Sequence, residues 1–310
     1  MSAKRSLAKR NSGIVRNVCI VVAIAAAVVL KFCTAEFKDE KIPPSLAAVP
    51  SLLTENEIRV HFIDLGQADG ILLQSTQNAV LIDGGEYATR DTLVNYLRNA
   101  GITTLDYVVA THPHSDHIGG LAAVIQQFDV KNVLMPDATN NTATFEKLLT
   151  AIENKGISIT VPSIGDKITA GIIEFTVLAP AKDFKDLNNA SLVLRMVYDK
   201  TAFLFTGDVE VPSEKEMLNS GLSLRANVLK AGHHGSRTST SSEFLDAVRP
   251  GTVVVSCGTG NSYGHPHKEF LEIVSQPERN ITLLRTDKLG TIIITTDGQE
   301  IKHYVKGEES

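Results

Sequence analysis

The chain has 310 residues, 43% of them apolar and 21% charged, with a formal net charge of −5. Such a length and apolar fraction exclude a disordered or fibrous protein and provide for a core of ordinary enzyme size. The acidic balance disfavours broad electrostatic binding to a polyanion.

The first element is compositional. Lys4, Arg5, Lys9, Arg10 and Arg16 precede Val18 to Leu30, a run without charge, after which come Lys31, Phe32, Cys33, Thr34 and Ala35. A basic segment ahead of an apolar one reads as a signal peptide or N-terminal membrane anchor over residues 1–35. The run is short for a span unless Lys31 snorkels, and no clean A-x-A site follows it, which tips the balance to the anchor. In either case the basic end stays in the cytoplasm. The rest is expected to be extracellular or at the cell surface, in contact with membrane only through this segment. These 35 residues hold six basic and no acidic side chains, so the exported part sets 24 Lys and Arg against 35 Asp and Glu, a net charge near −11. Of three cysteines it retains Cys257, so no internal disulfide is expected. Nothing calls for an obligate protein partner.

Residues 36–56, with Pro43, Pro44 and Pro50, read as an extended tether, and residues 57–310 as one domain. Alternation of Ile58, Val60 and Phe62 predicts a strand, and residues 70–74 and 79–83 a hairpin-like pair. Residues 88–100 put Leu93, Tyr96 and Leu97 on one helical face and end before Gly101. A buried strand over residues 105–110 leads into Thr111 to Gly120, T-H-P-H-S-D-H-I-G-G, with a helix expected from Ile118. Further helices are expected over 121–128, 142–155, 211–218, 242–248 and 267–275. Strands are expected over 132–135, 158–161, 172–178, 191–198, 202–206, 227–231, 252–257, 281–285, 290–295 and 300–305. Strands, then alternation, then strands again suit an α/β (α+β) fold of two sheets packed face to face with helices outside.

The chemistry concentrates where His112, His114, Asp116 and His117 crowd into six residues of a chain with nine histidines. In an extended loop, residues two apart share a side, so His112 and His114 can pinch one cation while Asp116 and His117 turn to a second. Imidazole and carboxylate donors suit zinc, manganese or iron. Three later strand ends can complete such a site. Asp208 follows the run Phe203 to Thr206 and offers a bridging carboxylate. His233 and His234 follow Val228 to Ala231; one can finish the second metal while the other orients a ligand or meets substrate, since neighbours on a strand point to opposite sides. His265 is a candidate proton donor or substrate contact, although Pro266 and His267 equally suit a helix start. Asp64 and Asp83 are candidate hydrogen-bond partners of the metal histidines, with a plain turn the default for Asp64.

At these residues the chain resembles the metallo-β-lactamase superfamily, whose H-x-H-x-D-H signature is matched by His112, His114, Asp116 and His117. Within it the chain is similar to the hydrolase domain of ComEC-type DNA-uptake competence proteins. The likeness is carried by H-F-I-D-L-G-Q-A-D at 61–69, L-I-D-G-G at 81–85, N-N-A-S-L-V-L-R at 188–195, F-T-G-D at 205–208, H-H-G-S at 233–236 and Y-G-H-P at 263–266. The resemblance implies a four-layer αββα sandwich with two mixed sheets and the metals at one edge. Many members place another histidine between the signature and the bridging Asp. Here that interval has none, so metal one would rest on His112, His114 and Asp208, with Asn188 and Asn189 in the region concerned. With at most one span, this chain is not expected to form a translocation channel.

Two cations about 3.5–4 Å apart lower the pKa of a shared water and clamp attacking and leaving oxygens. The expectation is therefore a metal-dependent hydrolase of phosphoesters, a phosphodiesterase or nuclease using two divalent ions, zinc or manganese. Asp116, Asp208 and His265 would be catalytic, Lys230, Arg237 and Asn189 would contact substrate, and extracellular DNA is one candidate substrate. The alternatives are a hydrolase of a small or wall-associated ester, such as a phosphorylcholine-type diester or a lactone, and a non-catalytic metal-binding module.

Overall fold

Period-two alternation sorts the side chains of each strand onto two faces, and in central strands such as Ile58–Phe62, Ala79–Ile82 and Thr201–Phe205 both faces are covered. The structure, a computed structural model, describes residues 52–305. The leader and all but the last five residues of the tether lie outside that range. The strands of the first half are β1 (Ile58–Phe62), β2 (Ile71–Gln74), β3 (Ala79–Ile82), β4 (Thr104–Leu105), β5 (Tyr107–Val109), β6 (Asp129–Val130), β7 (Val133–Leu134) and β8 (Ile159–Thr160). Those of the second are β9 (Lys167–Ala170), β10 (Ile173–Ala179), β11 (Val193–Tyr198), β12 (Thr201–Phe205), β13 (Val228–Lys230), β14 (Thr252–Val255), β15 (Thr282–Arg285), β16 (Ile292–Thr296) and β17 (Ile301–Val305). One sheet runs β17-β16-β1-β2-β3-β5-β7-β8 and the other β15-β14-β13-β12-β11-β10-β9, while β4 and β6 pair separately.

Three apolar layers make the sandwich four-layered. Ile71, Leu73, Val80 and Ile82 face Phe175, Phe203 and Phe205 between the sheets. Their alternates Leu72 and Leu81 pack with helices α1 (Arg90–Asn99), α3 (Leu121–Gln127) and α4 (Ala143–Lys155) on the outer side. On the far side, Leu204, Leu229 and Val253 meet α5 (Val211–Asn219), α6 (Ser242–Val248) and α7 (Lys268–Val274). Helix ends follow local chemistry. Thr142 Oγ1 accepts the Phe145 N–H at 3.3 Å to start α4, and Gly156 ends it at φ 65°, where a glycine carries no Cβ penalty. Among the described residues no helix is long and apolar enough to cross a membrane.

Three expectations need correction. A helix, α2 (Ser115–Ile118), begins inside the histidine motif rather than at Ile118. The strand β9 was not expected: four residues between Gly165 and Gly171 are too few for a periodic signal, although their burial alternates. The predicted strand over 105–110 is interrupted at Asp106, whose carboxylate accepts the Ala79 N–H at 3.1 Å and bonds Lys131 Nζ at 2.8 Å.

The polar residues of β1 are buried as well. His61 is 5% exposed, with Nδ1 2.8 Å from the Tyr96 hydroxyl. Burial, then the charge of Arg59, pulls its pKa from 6.5 down to about 3. The folded chain therefore keeps His61 neutral where the unfolded chain protonates it. Because the folded pKa is the lower one, stability is intact above about 6.5 and is lost as pH falls from there towards 3. Urea unfolding across that window is expected to show the loss in the wild type and a flatter profile in His61→Gln.

Candidate metal centre

Parallel neighbours β3 and β5, and β12, β13 and β14, put their carboxyl ends at one edge of their sheets, which is where open sheets of this kind place ligands. From β5 the chain reaches His112 and then His114, the N-cap of α2 at φ −84° and ψ 152°. Asp116 and His117 therefore lie on a helical turn, not in an extended loop. The two glycines that follow let this turn touch the β3 loop. A Cβ on Gly119 would stand 2.2 Å from the Tyr87 nitrogen, and one on Gly120 2.3 Å from the Gly84 carbonyl oxygen.

Asp116, His117, Asp208 and His234 bring one ligand atom each to within 4.8 Å of one another. Asp208 Oδ2 is 3.3 Å from His117 Nε2 and 3.6 Å from His234 Nε2, and Asp116 Oδ2 is 3.3 Å from His234 Nε2. The far side of each ring is occupied. His117 Nδ1 meets Asp83 Oδ2 at 2.8 Å, and His234 Nδ1 donates to the Ser256 carbonyl at 2.9 Å. Both arrangements place the proton on Nδ1 and aim the Nε2 lone pair at the carboxylates. His112 and His114 form a second pair beside this set, with His112 Nε2 3.0 Å from His114 Nδ1 and the His112 ring 4.1 Å from that of His117.

These donors fit a divalent cation. Among the described residues His117 Nε2 and Asp208 Oδ1 are buried with no hydrogen-bond partner, a costly condition unless a positive charge is shared among them. Without metal, protons must supply it. Burial opposes a charge on His117, but Asp208, Asp83 and Asp116 outweigh burial and hold its pKa well above the usual value. The same contest, burial against Asp208 and Asp69, pushes His234 up to about 10. Burial would raise the pKa of Asp208, yet His117 and His234 hold it well below the carboxylate range. For His112 burial and then the His117 charge act together, and it stays neutral.

The structure thus brings together His112, His114, Asp116, His117, Asp208 and His234. His233 stands at the rim, its Nδ1 on Glu210 Oε1 at 3.0 Å and its Nε2 3.8 Å from Asp208. Both histidines of that pair have positive φ, 46° and 53°, so they occupy a tight turn and not strand positions. The His265 ring lies 5.4 Å from that of His233, and burial, then His234 and His233, lower its pKa to about 4. Asp83 does support His117, and its Oδ1 accepts the Thr111 N–H at 2.8 Å. Asp64 is an exposed turn residue that accepts the Gly66 N–H. Arg237 is exposed on the loop after His234.

Two expected substrate contacts are overturned. Lys230 is 1% exposed and its Nζ sits 2.8 Å from Asp69 Oδ2 and 2.9 Å from the Ala231 carbonyl oxygen, so it cannot reach a phosphate. Asn189 is committed on both ends: Nδ2 donates to Asp186 at 2.6 Å, and Oδ1 accepts the N–H groups of Glu210 and Ser213. Its work is to hold the Asp208 loop. The partner of Lys230, Asp69, is a residue that pattern reasoning missed. Burial would raise its pKa, but Lys230 and His234 outweigh burial and hold it ionised; its Oδ1 lies 3.4 Å from His234 Nδ1. It follows an irregular loop with no periodicity, and its only signal was its place in the 61–69 segment.

Comparison with known proteins agrees with this geometry. Residues 63–259 match the metallo-beta-lactamase superfamily. The chain is 34% identical over 262 residues to ComE operon protein 3 of Bacillus subtilis and 33% identical over 255 residues to competence protein ComA of Neisseria gonorrhoeae. Each alignment covers 78% of this chain but 33% of the relative, so the chain spans about a third of their length. Among solved structures, Igni18, a metallo hydrolase from Ignicoccus hospitalis, superposes with a TM-score of 0.53 at 17% identity, covering 76% of this chain and 98% of that one. YhfI of Bacillus subtilis superposes with a TM-score of 0.51 at 17% identity, covering 74% and 95%. With two packed sheets, an H-x-H-x-D-H turn and later strand ends converging on it, the chain belongs to the metallo-β-lactamase superfamily, whose members are generally metal-dependent hydrolases.

Proposed function

We propose that this chain is a metal-dependent phosphodiesterase, acting on nucleic acid or a smaller phosphodiester. The observation that supports it most is the buried convergence of Asp116, His117, Asp208 and His234 next to the His112–His114 pair, two adjoining ligand sets of imidazole and carboxylate suited to zinc or manganese. Divalent cations held there would supply an activated water and positive charge for the phosphoryl oxygens. Asp83 and Ser256 hold the rings of His117 and His234 in the ligating tautomer. With Lys230 committed to Asp69, Arg237 is the exposed cation of this loop and the candidate phosphate contact. Similarity to competence proteins favours nucleic acid; the net charge near −11 outside the first 35 residues favours a small diester. The basic segment ahead of the apolar run supports export of the domain, which protease treatment of intact cells would check.

The test is turnover of a nitrophenyl phosphodiester, plasmid DNA and a lactone by the purified chain. Cleavage of a diester is expected, lost on adding chelator and in Asp116→Ala. Plasmid left intact beside an active small diester restricts the substrate to small molecules. Turnover of the lactone alone rejects phosphodiester chemistry.

A further inference from the structure

We propose that Gln67 fixes the tautomer of His265, keeping it a neutral imidazole with its one proton on Nε2, so that it serves substrate as a hydrogen-bond donor and neither ligates metal nor transfers a proton. The role toward substrate rests on the phosphodiester activity proposed above; the tautomer does not.

The assignment starts from a group whose direction is known. The Gly258 backbone N–H can only donate, and it meets Gln67 Oε1 at 3.1 Å. The orientation of the Gln67 amide is thereby fixed, and its NH2 is the end that lies 3.1 Å from His265 Nδ1. An amide NH2 has no lone pair to offer, so Nδ1 must be the acceptor and the ring proton must be on Nε2. The loop is built to keep this contact. Asn261 Oδ1 accepts the His265 N–H at 3.0 Å, and its Nδ2 donates to the carbonyls of His265 and Gly258. Glycine at 258 allows the two backbones to approach, since a Cβ there would come 2.8 Å from the Gln67 backbone nitrogen. The ring stacks on Tyr263 at 5.7 Å and is met edge-on by His267 at 4.6 Å.

Among the described residues no protein group hydrogen-bonds His265 Nε2. A neutral imidazole that gave up its last proton would become an imidazolate, so His265 is suited to donate a hydrogen bond to charge building on a phosphoryl or leaving oxygen, with the proton retained. Nδ1 is occupied by Gln67 and Nε2 has no lone pair, which closes the ring to metal.

Nitrogen NMR of the full chain with labelled imidazoles tests the tautomer directly. His265 is expected to show its proton on Nε2 with Nδ1 bare, and Gln67→Glu, whose carboxylate must accept, is expected to put a proton on Nδ1. A wild-type signal from Nδ1–H overturns the assignment. If Gln67→Glu does not fold, Gln67→Met is expected to give both tautomers, and a retained single Nε2–H form overturns the role of Gln67. Kinetics tests the use of the donor. Glutamine keeps an N–H near the Nε2 position without a transferable proton, so His265→Gln is expected to retain most of kcat, whereas His265→Ala loses on the order of 100-fold. A glutamine variant as inactive as the alanine variant overturns the donor role. An inactive wild type with the Nε2 proton in place rejects the phosphodiesterase proposal and not the tautomer.

Discussion

Replacing Asp208 by asparagine is expected to lower kcat/KM by more than about 100-fold, beyond the loss that follows removal of a group that merely supports a metal ligand. Its Oδ2 stands 3.3, 3.6 and 3.8 Å from the Nε2 atoms of His117, His234 and His233. An amide preserves volume but removes the negative charge, and it turns an NH2 towards lone pairs that a cation should meet. Metal content should fall with activity. Thermal unfolding gives an independent check. A cation present at about 1,000 times its Kd stabilises the folded state by about 4 kcal/mol, at about 2–4 °C per kcal/mol for a domain of this size. Chelator should therefore lower the wild-type midpoint and leave Asp208→Asn almost unmoved. Wild-type metal content together with wild-type kcat/KM in that variant would remove Asp208 from the centre.

Lys230→Met is expected to destabilise the fold by about 3–5 kcal/mol, the scale for removing one member of a buried ion pair. Both side chains are at most 1% exposed and their charged atoms are 2.8 Å apart. Methionine leaves the Asp69 carboxylate buried without its counter-ion, close to His234 and Asp83. Adding Asp69→Asn removes that charge, so the double variant should recover much of the loss in urea unfolding, a coupling that independent sites would not show. A Lys230→Met chain as stable as wild type but with raised KM would return the lysine to the substrate.

The local sequence already held the parts whose signal is short-range. His112, His114, Asp116 and His117 lie within six residues, and their chemistry is legible without a fold. Apolar runs within 70–74 and 202–206 revealed strands because each face is buried against a different layer. That signal is missing for β9, four residues long, and for the two-residue strands β4 and β6, which exist only through their partners.

The site itself divides along the same line. Residue types at strand ends identified Asp208 and the pair His233 and His234 as candidates, because donors of the right chemistry follow apolar runs. Which atoms point inward was decided by contacts between distant segments: Ser256 and Asp83 turning the rings, Asp69 drawing Lys230 away from any substrate, Asn189 bound into the loop of Asp208, and Gln67 facing His265. Sequence alone determined the superfamily motif, the layered pattern of apolar residues and the kinds of ligand available. Tertiary structure decided that Lys230 is committed to Asp69, which ring nitrogen of each histidine faces the centre and which carboxylates converge there. Those are properties of buried pairs, whose energy depends on desolvation and on distances that no single segment of chain contains.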